Sequence, residues 1–230
     1  MSNKNNSKFT EKMLDKYYKG EISTADMADY FGVHRRTIYD MMAEHGITSK
    51  RKLWTIINLP EKLSKNLMNK YATLVDRCSK DRGGNNYYNL DYLNAKEYAE
   101  FCNQNKEKLL KMWNKYIKNN KELKYAISID RIDTEKGYIE SNIQFVPYGF
   151  NSWKDVTTPL KLTYKNKKIY CLSKNEGGRR LGFDREQTVG EAERNENGLD
   201  IDIEYLDSKE KVLKENDCKS LFEYYNKYIE

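Results

Sequence analysis

Apolar positions along this chain recur with two periods. A spacing of three to four marks helices and a spacing of two marks strands. From Phe9 to about Tyr18 the spacing is helical. "GEIS" breaks it, and Ser23 or Thr24 can cap a second helix with Asp26 in its first turn. That helix runs to Tyr30, "FGVH" turns the chain, and a third helix spans about Arg35 to Glu44, where Gly46 stops it. Residues 53–76 are expected to be helical with a break near Pro60, and "SKDRGGNNYYN" reads as a loop. One or two helices fill 94–119, with Tyr98, Phe101, Leu109, Leu110, Met112, Trp113 and Ile117 as candidate core residues.

The pattern then shortens. "YAISID" reads as a strand ending near Asp130, "DTEKG" as a turn, and "SNIQFV" as a second strand opened by Asn142. "GFNSWK" begins or lies on a helix that packs across this hairpin. "LKLTYKNKKIYCL", residues 160–172, alternates as another hairpin. A helix is expected at 174–181, "GFDREQT" turns into a short helix, and 208–229 is helical as one element or a pair. Leu213, Leu221, Phe222, Tyr225 and Tyr228 form its apolar stripe. These elements make an α+β protein with no long-period repeat.

Composition sharpens the picture. The chain has 230 residues, enough for two or three small domains, and nineteen tyrosines set it apart from a disordered polypeptide. Its net charge of +6 suits a nucleic-acid partner. The charge is uneven: residues 161–180 hold seven Lys or Arg against one Glu, whereas 184–207 hold nine Asp or Glu against two Arg. The basic segment can meet phosphates, and the acidic one reads as a solvated linker or a face turned from DNA. Cys78, Cys102, Cys171 and Cys218 lie far apart with no CxxC pair, which argues against structural zinc and for reduced core thiols. "MSNKNNSK" has no apolar signal region and no long apolar run follows, so no membrane association and a cytoplasmic location are expected.

"TADMADYFGVHRRTIYDMM", residues 24–42, has the grammar of a helix-turn-helix. Ala28 is small where two helices cross, Gly32 suits a left-handed turn, and Val33 and Ile38 fill the space between. The second helix would enter the major groove of double-stranded DNA. His34, Arg35, Arg36, Thr37, Tyr39 and Asp40 then become candidate contacts, and Lys50, Arg51 and Lys52 of "TSKRK" a basic tail on the backbone. Residues 10–47 resemble the helix-turn-helix of phage and bacterial DNA-binding proteins.

The stretch "SIDRIDTEKGYIESNIQFVPYGFNSWK" resembles the HNH, or ββα-metal, nucleases, especially phage homing endonucleases. With "KYATLVDRCSK" and "YYNLDYLNAKEYAEFC" the resemblance covers roughly residues 67–157. It implies that Asp130 and Asn151 hold one Mg²⁺ or Mn²⁺, and that Asn142 is the structural asparagine. It implies hydrolysis to a 3′-hydroxyl and a 5′-phosphate. The family's catalytic histidine position is Arg131, which cannot act as a base near neutral pH. Asp133, Glu140 and Tyr138 are alternative bases, or Arg131 clamps the scissile phosphate and leaves water activation to the metal.

"LTYKNKKIYCLSKNEGGRRLGFDREQTVGEA" is similar to the small DNA-binding modules appended to homing endonucleases. Ser173 is the expected helix cap and Glu176 the partner in a capping box. Gly177 and Gly178 are expected to weaken that helix by about 1 kcal/mol each. Lys174, Arg179 and Arg180, with Lys165, Lys167 and Lys168, are candidate phosphate contacts. The chain thus divides as a helix-turn-helix (1–52), an HNH-like core with its preceding helices (53–158), a basic hairpin-helix module (159–192) and an acidic linker with a C-terminal helix (193–230). The leading expectation is a site-directed endonuclease or nickase. The alternative is an inactive HNH-fold regulator, and the acidic segment or C-terminal helix leaves room for a protein partner.

Overall fold

The computed structural model describes residues 9–50, 52–53, 57–81, 87–183 and 188–229. The chain is α+β, with helices and two small antiparallel sheets. It divides into two compact units, Met1–Pro147 and Tyr148–Glu230. Among the described residues no helix is long and apolar enough to cross a membrane.

The first unit begins with α1 (Glu11–Lys19), α2 (Thr24–Phe31) and α3 (Arg35–Glu44). Ser23 caps α2 in a full capping box with Asp26, a device that stabilises a helix start by about 1 kcal/mol. Gly32 ends α2 at φ 65°, and its N–H bonds back into the last turn. Met27, Ala28, Ile38 and Met42 are buried where α2 meets α3. Three more helices follow, α4 (Glu61–Ser79), α5 (Ala95–Gln104) and α6 (Lys106–Lys118). Asn94 and Glu97 form a second capping box at α5, and the Asn94 amide also reaches Asp15 at 3.1 Å.

Strands β1 (Ile127–Arg131) and β2 (Ile143–Pro147) pair antiparallel, with Asp130 opposite Gln144. Leu63, Leu67, Tyr98, Leu109, Ile127 and Phe145 are fully or almost fully buried in the core beneath them. Tyr71 stacks on Tyr98 with ring centroids 5.0 Å apart. Of the expected core residues on α6, Leu109 is buried and Leu110, Met112 and Trp113 are partly covered. Ile117 is 43% exposed.

The second unit opens with α7 (Tyr148–Lys154). The expected nuclease core ran to residue 158 and included this helix. Its aromatic residues pack within the second unit, Phe150 against Phe222 at 5.1 Å and Trp153 against Tyr225 at 5.4 Å. Then come β3 (Leu160–Tyr164), β4 (Lys167–Cys171), α8 (Lys174–Leu181), α9 (Thr188–Glu193), β5 (Ile201–Tyr205), α10 (Lys209–Glu215) and α11 (Leu221–Tyr228). The sheet order is β4-β3-β5, all antiparallel.

Strand β5 falls within 184–207, the acidic segment read as a solvated linker or a face turned from DNA, and within the acidic linker assigned to 193–230. Ile201 and Ile203 line up with Tyr164 and Leu162, and this apolar alternation was masked by the acids between them. The acids are partly neutralised within the unit: Glu204 meets Lys161 at 2.5 Å and Glu193 pairs with Lys174. The C-terminal helix likewise buries Tyr224 and Tyr225 inside this unit, while Phe222 stays 36% exposed.

Candidate functional site

The β1–β2 hairpin is locked by one buried side chain. Asn142 accepts the Asp133 N–H at 2.8 Å through Oδ1, and its Nδ2 donates to the carbonyls of Asp133 and Gly137, each at 2.9 Å. Its own carbonyl accepts the Ile132 N–H at 2.9 Å. Each of these bonds ties down a backbone group of the loop, and the one to Gly137 is itself buried. Gly137 is compelled by close approach, since a Cβ there would lie 2.2 Å from the Asp91 carbonyl oxygen. That contact carries the backbone bonds Tyr138 N–H to Asp91 (2.7 Å) and Leu93 N–H to Tyr138 (3.0 Å).

Asp130 sits near the end of β1 and is 4% exposed. The Gln144 amide donates to its Oδ2 at 3.1 Å from the facing strand. Sequence reasoning did not single out Gln144. The antiparallel register, which pairs these positions, was the signal that would have found it.

Arg131 is 8% exposed. Its guanidinium lies 4.8 Å from the Tyr87 ring and 5.4 Å from the Tyr138 ring, and Nη1 donates to the Lys136 carbonyl at 3.1 Å. The side chain therefore braces the same loop that Asn142 closes. Of the alternative bases, Tyr138 is buried, and burial raises its phenol above the ordinary range. Asp133 is held below the usual carboxylate range by Lys136 at 3.0 Å and by the Glu135 N–H, which weakens it as a base. Glu140 is exposed and has no ion pair among the described residues.

Asn151 lies on α7, in the second unit, and is half-buried. Among the described residues, no group of three or more His, Cys, Asp or Glu side chains stands where it could hold a metal. All four cysteines are free and buried.

On the N-terminal helices, His34 caps α3 by accepting the Arg36 N–H through Nδ1 at 3.2 Å. That bond requires an unprotonated Nδ1, so the proton of the neutral ring sits on Nε2. Arg35 Nε donates to Thr24 Oγ1 at 2.9 Å, and the Tyr39 hydroxyl lies 3.3 Å from the same oxygen. Thr24 is 4% exposed, whereas Arg35, Arg36, Thr37, Tyr39 and Asp40 are exposed along the front of α3. The Lys50 ammonium lies 4.5 Å from the Tyr17 ring, and burial lowers its pKa. Lys52 is exposed, and Arg51 lies outside the described residues.

In the second unit the basic candidates separate. Arg179 is exposed, as are Lys165, Lys167 and Lys168 at the hairpin turn. Lys174 is paired with Glu193 and lies 5.5 Å from the Tyr205 ring. Arg180 is structural: it donates to Glu176 (2.8 Å), to the Tyr170 carbonyl (2.8 Å), to Asn216 (2.7 Å) and to Tyr224 (3.0 Å). Glu176 does not complete the expected capping box. Its N–H is capped by Ser173, but its carboxylate accepts from the Leu172 N–H at 3.0 Å and from Arg180 and Tyr224. A buried carboxylate needs such charge-assisted partners, and they outcompete the cap.

No protein-family model matches the chain, and neither a curated protein nor a solved structure matches it.

Proposed function

We propose that this chain is a site-directed DNA endonuclease or nickase of the HNH homing type, with residues 1–52 as a helix-turn-helix that places it on double-stranded DNA. The observation that carries the reading is the Asn142 lock beside Asp130. A fully bonded asparagine fixes the loop, and a buried aspartate stands at the end of the adjoining strand.

Asp130 fits as an anchor for one Mg²⁺ or Mn²⁺. It is a hard oxygen donor, and Mg²⁺ is commonly bound through one or two carboxylates while keeping several waters. An ion held there would supply charge stabilisation at the leaving oxygen. Gln144 fixes the orientation of the carboxylate, as outer hydrogen-bond partners do for metal ligands. Arg131 contacts Tyr87, Tyr138 and the Lys136 carbonyl and cannot act as a base, so proton transfer falls to another group, and exposed Glu140 is the candidate. On the helix pair, exposed Arg35 and Arg36 are the candidates for bidentate contacts to guanine or phosphate.

The same Arg131 geometry favours a second reading, a DNA-binding regulator on a nuclease frame without chemistry. Incubation with supercoiled low-GC DNA and Mg²⁺ or Mn²⁺ separates the two. Nicking by the native chain that is lost in Asp130→Asn supports the nuclease. Nicking retained in Asp130→Asn rejects Asp130 as the anchor. Sequence-selective binding without cutting supports the regulator, and no binding to a randomised duplex pool rejects both.

A further inference from the structure

One cavity of the first unit belongs to none of the sites above. It holds about 710 Å³ and lies between α3 and the segment that follows it. Sites that bury a small organic ligand have roughly 300–1,000 Å³. The end of α3 builds it. Gly46 turns the chain at φ 68°, and the Ile47 N–H donates to the Met42 carbonyl at 2.7 Å. Helix α1 then holds the wall: the Tyr18 hydroxyl donates to the Thr48 carbonyl at 2.7 Å, and the Tyr17 hydroxyl accepts the Lys50 N–H at 3.1 Å. A wall held at several points is formed before a ligand arrives, which lowers the ordering cost of binding.

Its lining is of two kinds. Met42, Ala43 and Ile47 give an apolar side, whereas Tyr39, Ser49 and Lys52 give two hydroxyls and one ammonium. No acid is among the described residues that line it. On α3, Met42 and Ala43 fall within about 60° of Tyr39, whereas Asp40 and Glu44 fall about 100° and 140° from it, off the lining face. A cation would meet Lys52, and a wholly polar ligand would leave Met42 and Ile47 uncovered. What the lining complements is an apolar body that ends in an anionic group. The Met42 thioether and the Tyr39 ring favour an aromatic body.

Tyr39 also ties this cavity to the outer face of α3. Its hydroxyl lies 3.3 Å from Thr24 Oγ1, the atom that accepts from Arg35 Nε at 2.9 Å. A ligand that engages the Tyr39 hydroxyl therefore alters the group that orients Arg35. We propose that this cavity binds a small aromatic organic acid, and that its occupation weakens DNA binding by the helix pair. The first half stands on the cavity itself, and the second rests on the DNA-binding reading above.

The test uses the full chain and 2-naphthoate, with neutral 2-naphthamide as the charge control. On titration with 2-naphthoate the methyl resonances of Met42, Ala43 and Ile47 should shift, with a Kd of about 1 mM or lower. Lys52→Gln should weaken 2-naphthoate about fivefold and leave 2-naphthamide unchanged. Ala43→Trp fills the cavity from an exposed helix position and should abolish binding of both compounds at an unchanged thermal midpoint. If the midpoint falls, Ala43→Leu serves as the milder block. The proposal is overturned if 2-naphthoate at about 10 mM moves none of the three methyls. It is equally overturned if binding survives in the blocked variants, which places the ligand elsewhere. Equal binding of the two compounds, untouched by Lys52→Gln, rejects the organic acid as the ligand class. At constant ionic strength, saturating 2-naphthoate should lower the affinity of the native chain for a selected duplex. Unchanged affinity rejects the control of DNA binding. If the native chain binds no DNA, the DNA-binding reading and that control fall together, and the methyl shifts alone decide the ligand site.

Discussion

Asn142 and Asp133 are bonded to each other twice, nine residues apart: Oδ1 accepts the Asp133 N–H at 2.8 Å and Nδ2 donates to the Asp133 carbonyl at 2.9 Å. Asn142 itself is 3% exposed. Asn142→Ala should destabilise the first unit by about 1–3 kcal/mol, because it leaves the buried Gly137 carbonyl unpaired and removes the two bonds to the partly buried Asp133 backbone. Asn142→Asp should cost more, since a carboxylate oxygen would then face the Asp133 and Gly137 carbonyls. Urea unfolding followed by near-ultraviolet circular dichroism checks both. An Asp variant as stable as the native chain would reject this account of the loop.

Two helical glycines of the second unit should respond to alanine with opposite signs. At Gly177 a Cβ would lie 2.3 Å from Leu162 Cδ1 and 2.6 Å from Cys171 Sγ, so α8 lies on the sheet only because the side chain is absent. Gly177→Ala should destabilise by about 1–3 kcal/mol through overpacking. At Gly190 the nearest atom is Arg194 Nη1 at 3.5 Å, an ordinary contact with the end of a flexible side chain. Gly190→Ala should therefore stabilise, by up to about 1 kcal/mol from helix propensity. Thermal melts of the two variants beside the native chain decide the signs.

The contrast shows what the sequence made legible. Helix positions from α1 to α3, the helical character of 94–119 and both hairpins follow from spacing and caps, because those signals are local, whereas spacing leaves the break into α5 and α6 open. Gly177 looked like a defect in α8, since propensity counts only the helix itself, whereas its reason is the strand 15 residues earlier. Strand β5 was hidden for a similar reason: its acids dominate the composition, and the lysine that answers Glu204 lies 43 residues away. At the candidate site Asp130 and Asn142 were visible as types in order. Gln144 and Tyr87 were not, because their roles depend on register and on a loop that returns to the hairpin.

The thiols carry a pH dependence. Burial pushes Cys78 up to about 11 and Cys102 and Cys171 up to about 12, from an ordinary value of 9.0. A raised folded value means that the unfolded chain loses its protons first. Stability from these groups is therefore full below pH 9 and declines as pH rises from 9 toward 12. Iodoacetamide at pH 8 should label these three thiols far more slowly in the native chain than in urea. Equal rates in the two states would show that the thiols are accessible in the fold.

Thr24 and Arg35 should be coupled in DNA binding. The Thr24 hydroxyl holds Arg35 Nε at 2.9 Å, which leaves the two terminal nitrogens of the guanidinium facing outward from α3. Thr24→Val keeps the buried volume and removes the acceptor. Affinity for a selected site should fall by about tenfold if the bond supplies a typical 1.5 kcal/mol of orientation. The same substitution made in Arg35→Ala should change little, and a double-mutant cycle on binding measures the difference. Additive losses would show that Thr24 acts on fold stability alone.

Arg131→His brings the two readings of function into direct opposition. The change removes a guanidinium that contacts both Tyr87 and Tyr138 and bonds the Lys136 carbonyl, so the hairpin should lose about 1–3 kcal/mol. Asn142 and the β1–β2 register do not depend on it, so the frame should remain. If the native chain nicks DNA and Arg131→His is merely less stable, the arginine is a brace and the base lies elsewhere. Glu140→Gln should then abolish nicking without loss of binding. If the native chain only binds and Arg131→His begins to nick with Mg²⁺ present, the imidazole has supplied the proton transfer that the arginine could not. Asp130→Asn in the Arg131→His background should then silence the gained activity if Asp130 anchors the ion as proposed, and activity that survives it would reject that anchor.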